Sequence, residues 1–384
     1  MNTSGEYKRG VYKQFIKAIK AQKVLILLGA RRVGKTELIR QYLATQSPNS
    51  FLLFNGEDQQ TIDLFSERSV ERFKQILGTC RLLIIDEAQK IPDIGLKLKL
   101  MVDEIKGIKI IVTGSSMFDL TNKLGEPLVG RETIIKLYPL AQMEFKQFEN
   151  RLQIASKLEE RLIYGGYPEI QHLVSWEEKS RYLDGLINSY LLKDVLAYQG
   201  VRKSNKIFDL LRLIAFQVGS EVNVDELANA LKGISRNTVE SYLDLLSKVF
   251  IIYNVRGYNR NLRKEVTKMS KWYFFDNGIR NAIIRNFSPL AFRDDLGRLW
   301  ENYLMSERIK FNSYSQRIVD TYFWRTYDQQ EIDLVEERGD ELKSFEFKWN
   351  VKSKIKAPGG WTTNYPNASF DVIHPDNYLD FIDK

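Results

Sequence analysis

Over roughly the first 140 residues, short runs of consecutive apolar side chains alternate with stretches in which apolar positions recur every three or four residues. The runs fall at 24–28, 51–54, 82–86, 109–113 and 133–137, and predicted helices such as 36–43 and 96–105 separate them. A strand that is apolar at every position has both faces buried. Such strands alternating with helices predict a parallel sheet covered on both sides. From 143 to 199 the pattern turns helical and loop-rich, broken at Gly165-Gly166-Tyr167-Pro168. Residues 207–217, 224–231 and 235–250 then read as three helices. In the third, Ser235 supplies an N-cap, and Val239, Tyr242, Leu243, Leu246, Val249 and Phe250 form a buried stripe. Strands at 250–255 and 272–275, joined by a basic loop, complete the outline of a winged helix. A helix at 296–311 and strands at 321–325, 331–335 and 342–349 follow. The expected parts are an α/β sheet domain over 1–142, a helical connector over 143–200, a winged helix over 201–285 and a small α/β domain over 286–384.

Composition narrows the class. At 384 residues the chain exceeds one ordinary core, and 43% hydrophobic against 28% charged residues is a globular balance. The longest apolar run, Val24 to Leu28, is far too short to cross a bilayer, and residues 1–10 lack the apolar core of a secretory signal. The expected compartment is the cytoplasm, with no membrane partner. One cysteine, Cys80, excludes an internal disulfide framework, and His172 and His374 alone argue against a His/Cys metal centre. The net charge of +8 permits contact with nucleic acid. Between residues 201 and 275 there are thirteen Lys or Arg against seven Asp or Glu, and from Arg256 to Lys271 six basic residues face only Glu265. That stretch reads either as a DNA-contacting wing or as a solvated basic hairpin.

The first predicted strand runs into Gly29-Ala30-Arg31-Arg32-Val33-Gly34-Lys35-Thr36, a G-x-x-x-x-G-K-[ST] loop that opens a helix. The glycines let the backbone curl so that its N–H groups face phosphate oxygens at the positive end of that helix. Gly29, Arg32, Val33, Gly34, Lys35 and Thr36 are the expected ATP contacts. Lys35 reaches the β- and γ-phosphates, and the Thr36 hydroxyl ligates Mg²⁺. The run Arg81-Leu82-Leu83-Ile84-Ile85-Asp86-Glu87 places two carboxylates at the carboxyl edge of the sheet, where ligands sit in such folds. Asp86 is the expected second ligand of Mg²⁺, and Glu87 the group that polarises the attacking water. Ser115, after the apolar run ending at Thr113, is either a sensor of the γ-phosphate or a plain turn residue. Arg131, before the last strand, is either an arginine finger, in cis or from a neighbouring chain, or a surface arginine. Arg31 and Arg32 either cover the nucleotide or are solvated.

The ordered set GARRVGKT, LLIIDEAQKIPD, VTGSS, LVGRE, YPLAQMEF, YGGYPE, NSYLLKDV, ISRNTVESYLDLLSKVFIIYNV, KWYFFDNG, EIDLVEE and FEFK resembles prokaryotic AAA-type ATPases whose C-terminal domain is usually described as of unknown function. The resemblance covers nearly the whole chain. It implies a sheet with the 113–116 strand between the P-loop and Asp86 strands, a winged helix, and a C-terminal part similar to PD-(D/E)XK nucleases.

The last ninety or so residues carry a second constellation. Glu301 lies within a helix. Glu331 and Asp333 share one strand face, and Glu346 and Lys348 share a face of the next, so Asp333, Glu346 and Lys348 converge. Two carboxylates can hold a second Mg²⁺ or Mn²⁺ with a lysine beside them to orient water, as D…E-x-K does in nucleases of that fold. The same residues read equally as a half-exposed strand with a cross-strand ion pair. The Ala357-Pro358-Gly359-Gly360-Trp361 stretch departs from the helix that usually follows the E-x-K strand. On the third helix of the winged-helix segment, Arg236 and Asn237 are candidate DNA contacts, with Arg256, Arg260, Arg263 and Lys264 in the wing. Glu240 and Asp244 oppose that reading. Two functions fit: an ATP-driven enzyme acting on DNA with a nuclease-like module, or an ATP-dependent switch or scaffold for a protein partner. Either permits an oligomer.

Overall fold

A computed structural model describes residues 7–115, 128–188, 195, 204–258, 270–351 and 354–383. Two compact units form, Met1–Tyr138 with Lys248–Phe250, and Pro139–Ser247 with Ile251–Lys384.

The first unit is built on β1 (Lys23–Leu28), β2 (Phe51–Asn55), β3 (Leu82–Asp86), β4 (Lys109–Gly114) and β5 (Glu132–Lys136). They run parallel in the order β2-β3-β4-β1-β5. Each apolar run of the sequence is one of these strands, shifted by a residue or so at its ends. The central strands β1, β3 and β4 are buried almost throughout, whereas the edge strands β2 and β5 are partly exposed. This is why the central runs contain no polar interruption. The helix Lys35–Leu43 covers the sheet with Leu38, Ile39, Tyr42 and Leu43. Burying side chains of that size stabilises by about 1.5–3 kcal/mol each. β4 lies between β1 and β3, the order that the resemblance implied, so the carboxyl ends of β1, β4 and β3 stand side by side.

The second unit contains a mixed sheet in the order β11-β10-β9-β8-β6-β7. Its strands are β6 (Ile252–Gly257), β7 (Ser270–Phe274), β8 (Asp320–Arg325), β9 (Glu331–Arg338), β10 (Glu341–Phe347) and β11 (Ser369–Ile373). The helices Ser204–Phe216, Val224–Leu231 and Arg236–Lys248 form as expected, followed by the β6–β7 hairpin. That hairpin is part of the larger sheet: β6 pairs parallel with β8 through Arg256↔Tyr322 and Gly257↔Phe323. Ile252, Tyr253, Val255 and residues 272–274 are all buried, so both faces of these two strands are covered, while the loop between them, 259–269, lies outside the described residues. Between β10 and β11 a short helix, Gly359–Asn364, does form where the sequence suggested none, and its Trp361 packs into a cluster with Tyr258, Trp324, Ile332, Val335 and Tyr365.

Three quoted motifs meet in one joint of this unit. Asp276 is buried, and its carboxylate accepts from the N–H of Gly166 at 2.7 Å and of Ile279 at 3.1 Å. A Cβ at Gly165, where φ is +74°, would lie 2.1 Å from Asp276 Oδ1, and one at Gly166 would lie 2.4 Å from the Leu140 carbonyl oxygen. YPL, GGYP and DNG are therefore spelled by close packing of backbone around one buried carboxylate.

Candidate nucleotide-binding site

The loop Gly29–Gly34 joins β1 to the Lys35–Leu43 helix, with Arg32 at φ +65° and Gly34 at φ +96°. A Cβ at Gly29 would come within 2.1 Å of the Leu137 carbonyl oxygen, so only glycine fits there. Val33 is buried beneath the loop, and Arg32 is exposed. Arg31 sits 3.8 Å from Glu57, a partly exposed pair that contributes little. The Lys35 ammonium is buried and donates to the carbonyls of Gly29 at 2.8 Å and Ala30 at 3.0 Å. Thr36 Oγ1 donates to Asp86 Oδ2 at 2.8 Å. The hydroxyl and carboxylate thus face one spot beside the loop, an oxygen-donor pair of the type Mg²⁺ prefers.

Two residues that were not singled out as site residues from the sequence support this arrangement. Thr113, fully buried at the end of β4, donates to Asp86 Oδ1 and accepts from the Glu87 N–H at 2.9 Å. Glu87 needs that hold, since its backbone is left-handed at φ +50°, and Gln89 Nε2 donates to its Oε2 at 2.5 Å. Arg9 is also buried, and its guanidinium donates to the Val33 carbonyl at 2.5 Å and the Tyr138 carbonyl at 2.7 Å, pinning the loop from below. Thr113 was legible in principle. β4 neighbours β3, and the pairing Val112↔Ile85 puts the next residue beside Asp86. Ser115, the residue proposed as sensor, lies buried one position beyond β4, and the carboxylate contact belongs to Thr113.

Residues 21–146 match the family model of the AAA domain. Further along, residues 155–290 and 296–375 match models described as domains of unknown function (DUF8612 and DUF4143). The chain is 26% identical over 351 residues to an uncharacterized protein of Haemophilus influenzae, covering 83% of this chain and 80% of that one. It is also 26% identical over 346 residues to an uncharacterized protein of Mycobacterium tuberculosis, covering 89% and 74%. Among solved structures it is similar to domain III of the Thermotoga maritima replication initiation protein DnaA, with a TM-score of 0.28, 16% identity and coverage of 63% and 85%. AMPPCP-bound DnaA from Aquifex aeolicus gives a TM-score of 0.29 at 15% identity, covering 62% and 86%. These superpositions are loose, and the strand order and loop geometry carry the fold. The two domains of unknown function divide between residues 290 and 296, yet β6 and β7 from the first complete the sheet of the second.

One expectation for the first unit needs correction. Arg131 immediately precedes β5, and Glu132 pairs with Val24 near the start of β1. Arg131 is therefore at the amino edge of the sheet, opposite the P-loop, about 15 Å away along the strand. Its Nε instead meets Asp103 Oδ1 at 2.6 Å on a part-exposed surface. An arginine finger in cis is excluded by this geometry, because a residue that leads into a parallel strand lies at the wrong end of it.

In the second unit the predicted carboxylates do come together. Asp333 Oδ2 accepts from the Phe347 N–H at 2.7 Å, Glu346 Oε1 pairs with Lys348 Nζ at 2.6 Å, and Glu301 Oε1 accepts from the Tyr273 hydroxyl at 2.7 Å. Burial pushes the Asp333 carboxyl well above the usual carboxylate range, reinforced by Glu301 and Glu346. Burial likewise raises Glu301, against the opposing pull of Lys271 and Tyr273. Lys271 was counted earlier only as one of the wing's basic residues. Its ammonium is buried and pairs with Glu331 and, at 3.6 Å, with Glu301. Among the described residues no group of three or more His, Cys, Asp or Glu side chains is arranged to hold a metal ion.

The proposed DNA contacts are weakened. Arg236 Nη1 meets Asp225 at 2.7 Å and its Nε meets Glu240 at 3.0 Å, so its charge is already answered. Asn237 is exposed next to it, and Arg256 is exposed on β6. Arg260, Arg263 and Lys264 lie outside the described residues. Among the described residues no helix is long and apolar enough to cross a membrane.

Proposed function

We propose that the AAA domain binds ATP and hydrolyses it to ADP and phosphate. The observation that carries this reading is the chain of contacts from Thr36 through Asp86 and Thr113 to Glu87, beside a loop whose glycine tolerates no Cβ. Thr36 and Asp86 are the residues that would hold Mg²⁺, and the ion supplies neutralisation of phosphate charge when bound. Lys35 exchanges its two carbonyl partners for phosphate oxygens. The loop N–H groups and the helix amino end orient the phosphates. Glu87, released from Gln89, positions the attacking water and takes up its proton. Lys35→Ala abolishes ATP binding, measured with a fluorescent nucleotide; undiminished affinity in that variant contradicts the assignment of the loop.

For what ATP turnover acts upon, we favour a protein partner, with the second unit as a non-cleaving switch or scaffold. The observation that favours it is Arg236, already held by Asp225 and Glu240 on the helix that would read DNA. The competing reading is DNA binding with nuclease-like cleavage. It requires salt-sensitive binding that weakens when Arg256, Arg260, Arg263 and Lys264 are neutralised. ATPase stimulation by a co-purifying protein and not by DNA supports the switch; stimulation by DNA alone rejects it. In an oligomer, Arg131 could serve only a neighbouring chain's nucleotide.

A further inference from the structure

The resemblance to nucleases implies a divalent cation among Glu301, Asp333 and Glu346, and the side chains present do not fit that ion. Lys271 reaches the cluster from β7 and lies 2% exposed. Its ammonium pairs with Glu331 and Glu301 and lies 5.1 Å over the Phe323 ring. Tyr273, two residues on along β7, donates its hydroxyl to the same Glu301 oxygen that faces Lys271. Asp333 spends one oxygen on the Phe347 N–H, and Glu346 spends one on Lys348. Backbone also crowds Glu301: a Cβ at Gly219, where φ is +74°, would be 2.9 Å from its carboxylate. That leaves Glu346 Oε2 as the buried oxygen of the cluster without a hydrogen-bond partner among the described residues, one donor where a divalent cation needs several.

We infer that Lys271 is a fixed counter-cation that takes the place of the divalent ion, so that this carboxylate cluster is an internal ion-pair network and not a metal centre. A buried cluster of carboxylates is tenable only if positive charge is brought among them. A resident ammonium does this permanently, where a metal would do it only when bound. Burial tends to lower the Lys271 ammonium, but Glu301, Glu331 and Asp333 together outweigh it and raise the group, which favours the charged lysine. β7 belongs to the hairpin that joins this sheet through β6, and that pairing is what delivers the lysine. The hairpin thereby brings one positive charge into the sheet it completes.

The test is titration of full-length protein with Mn²⁺, without nucleotide, following free Mn²⁺ by electron paramagnetic resonance. Wild type and Asp333→Asn are expected to give superimposable curves, because no Mn²⁺ is held by Asp333. Lys271→Met is expected to gain one site that binds at least tenfold more tightly than any Mn²⁺ in wild type, and Lys271→Met/Asp333→Asn to lose it. Lys271→Arg keeps the charge and is expected to match wild type. A wild-type site that disappears in Asp333→Asn overturns the inference whether or not Lys271→Met folds. A folded Lys271→Met that gains no site, judged by its unchanged circular dichroism, overturns it as well.

Discussion

Replacing Thr113 with valine removes one hydroxyl from a fully buried position while keeping nearly the same shape. The wild-type hydroxyl donates to Asp86 Oδ1 and accepts from the Glu87 N–H, so a single oxygen ties the carboxylate proposed to hold Mg²⁺ to the backbone of the residue proposed to position the water. A hydrogen bond to an ionised partner contributes about 1.5–3 kcal/mol, and an unpartnered buried N–H adds a penalty of similar order. If about 2 kcal/mol of this is expressed where Glu87 meets the attacking water, kcat falls roughly 30-fold. The Thr113 hydroxyl bonds Asp86 and Glu87 and not the 29–34 loop, so nucleotide affinity measured without divalent cation is expected to be unchanged. The assay is steady-state phosphate release in parallel with nucleotide binding and thermal unfolding, because the same change also lowers stability. A Thr113→Val enzyme with kcat within about twofold of wild type would refute the claim that this hydroxyl positions the catalytic pair.

Other outcomes follow from the same structure. Arg131→Ala leaves kcat within about twofold in dilute protein, since the exposed pair with Asp103 is worth at most ~1 kcal/mol and lies across the sheet from the loop; a loss seen only as protein concentration rises would place Arg131 in a neighbour's site. Asp295 is partly buried, which raises its carboxyl, but the hydrogen bonds from Arg293 and the charge of Arg280 outweigh this and hold it at about 2. Its stabilisation is therefore complete above the unfolded value of about 3.9 and is lost as pH falls through the folded one, so Asp295→Asn costs at least ~2 kcal/mol at neutral pH and progressively less in acid. Urea unfolding across pH checks this, and an equal cost at pH 7 and near pH 2 speaks against it. Gly165→Ala forces a Cβ to 2.1 Å from Asp276 Oδ1 at a left-handed backbone position, and the expected loss exceeds about 3 kcal/mol in the same assay; a variant as stable as wild type would show that the joint yields.

The nucleotide loop and Asp86 were legible because their chemistry is local: glycines, a lysine and a threonine at fixed spacing, then a carboxylate ending a buried strand. The sheet was legible because its central strands have no polar position to spare. Thr113 and Lys271 were noted but not singled out, since each acts through a neighbour that only strand pairing brings close. Lys271 was counted as part of a basic loop when its side chain is buried among carboxylates. Two strands after three helices fit the outline of a wing, but the pairing of β6 with β8 was not legible, because it joins segments more than sixty residues apart. The unbroken apolar run from Trp272 to Phe275 was a hint that both faces are covered. Arg131 was misplaced for a simpler reason. Its position before a parallel strand fixes it at the amino edge, and that inference was available from the motif order alone.

The central claim is ATP hydrolysis directed by Glu87 at a site that Lys35 makes able to bind. The most direct measurement is ATP binding and phosphate release on wild type and Glu87→Gln side by side, with Lys35→Ala as the non-binding reference. The account predicts that Glu87→Gln binds ATP as tightly as wild type and releases phosphate at least about a hundredfold more slowly. Normal turnover in Glu87→Gln, or wild-type protein that binds no ATP, would contradict it.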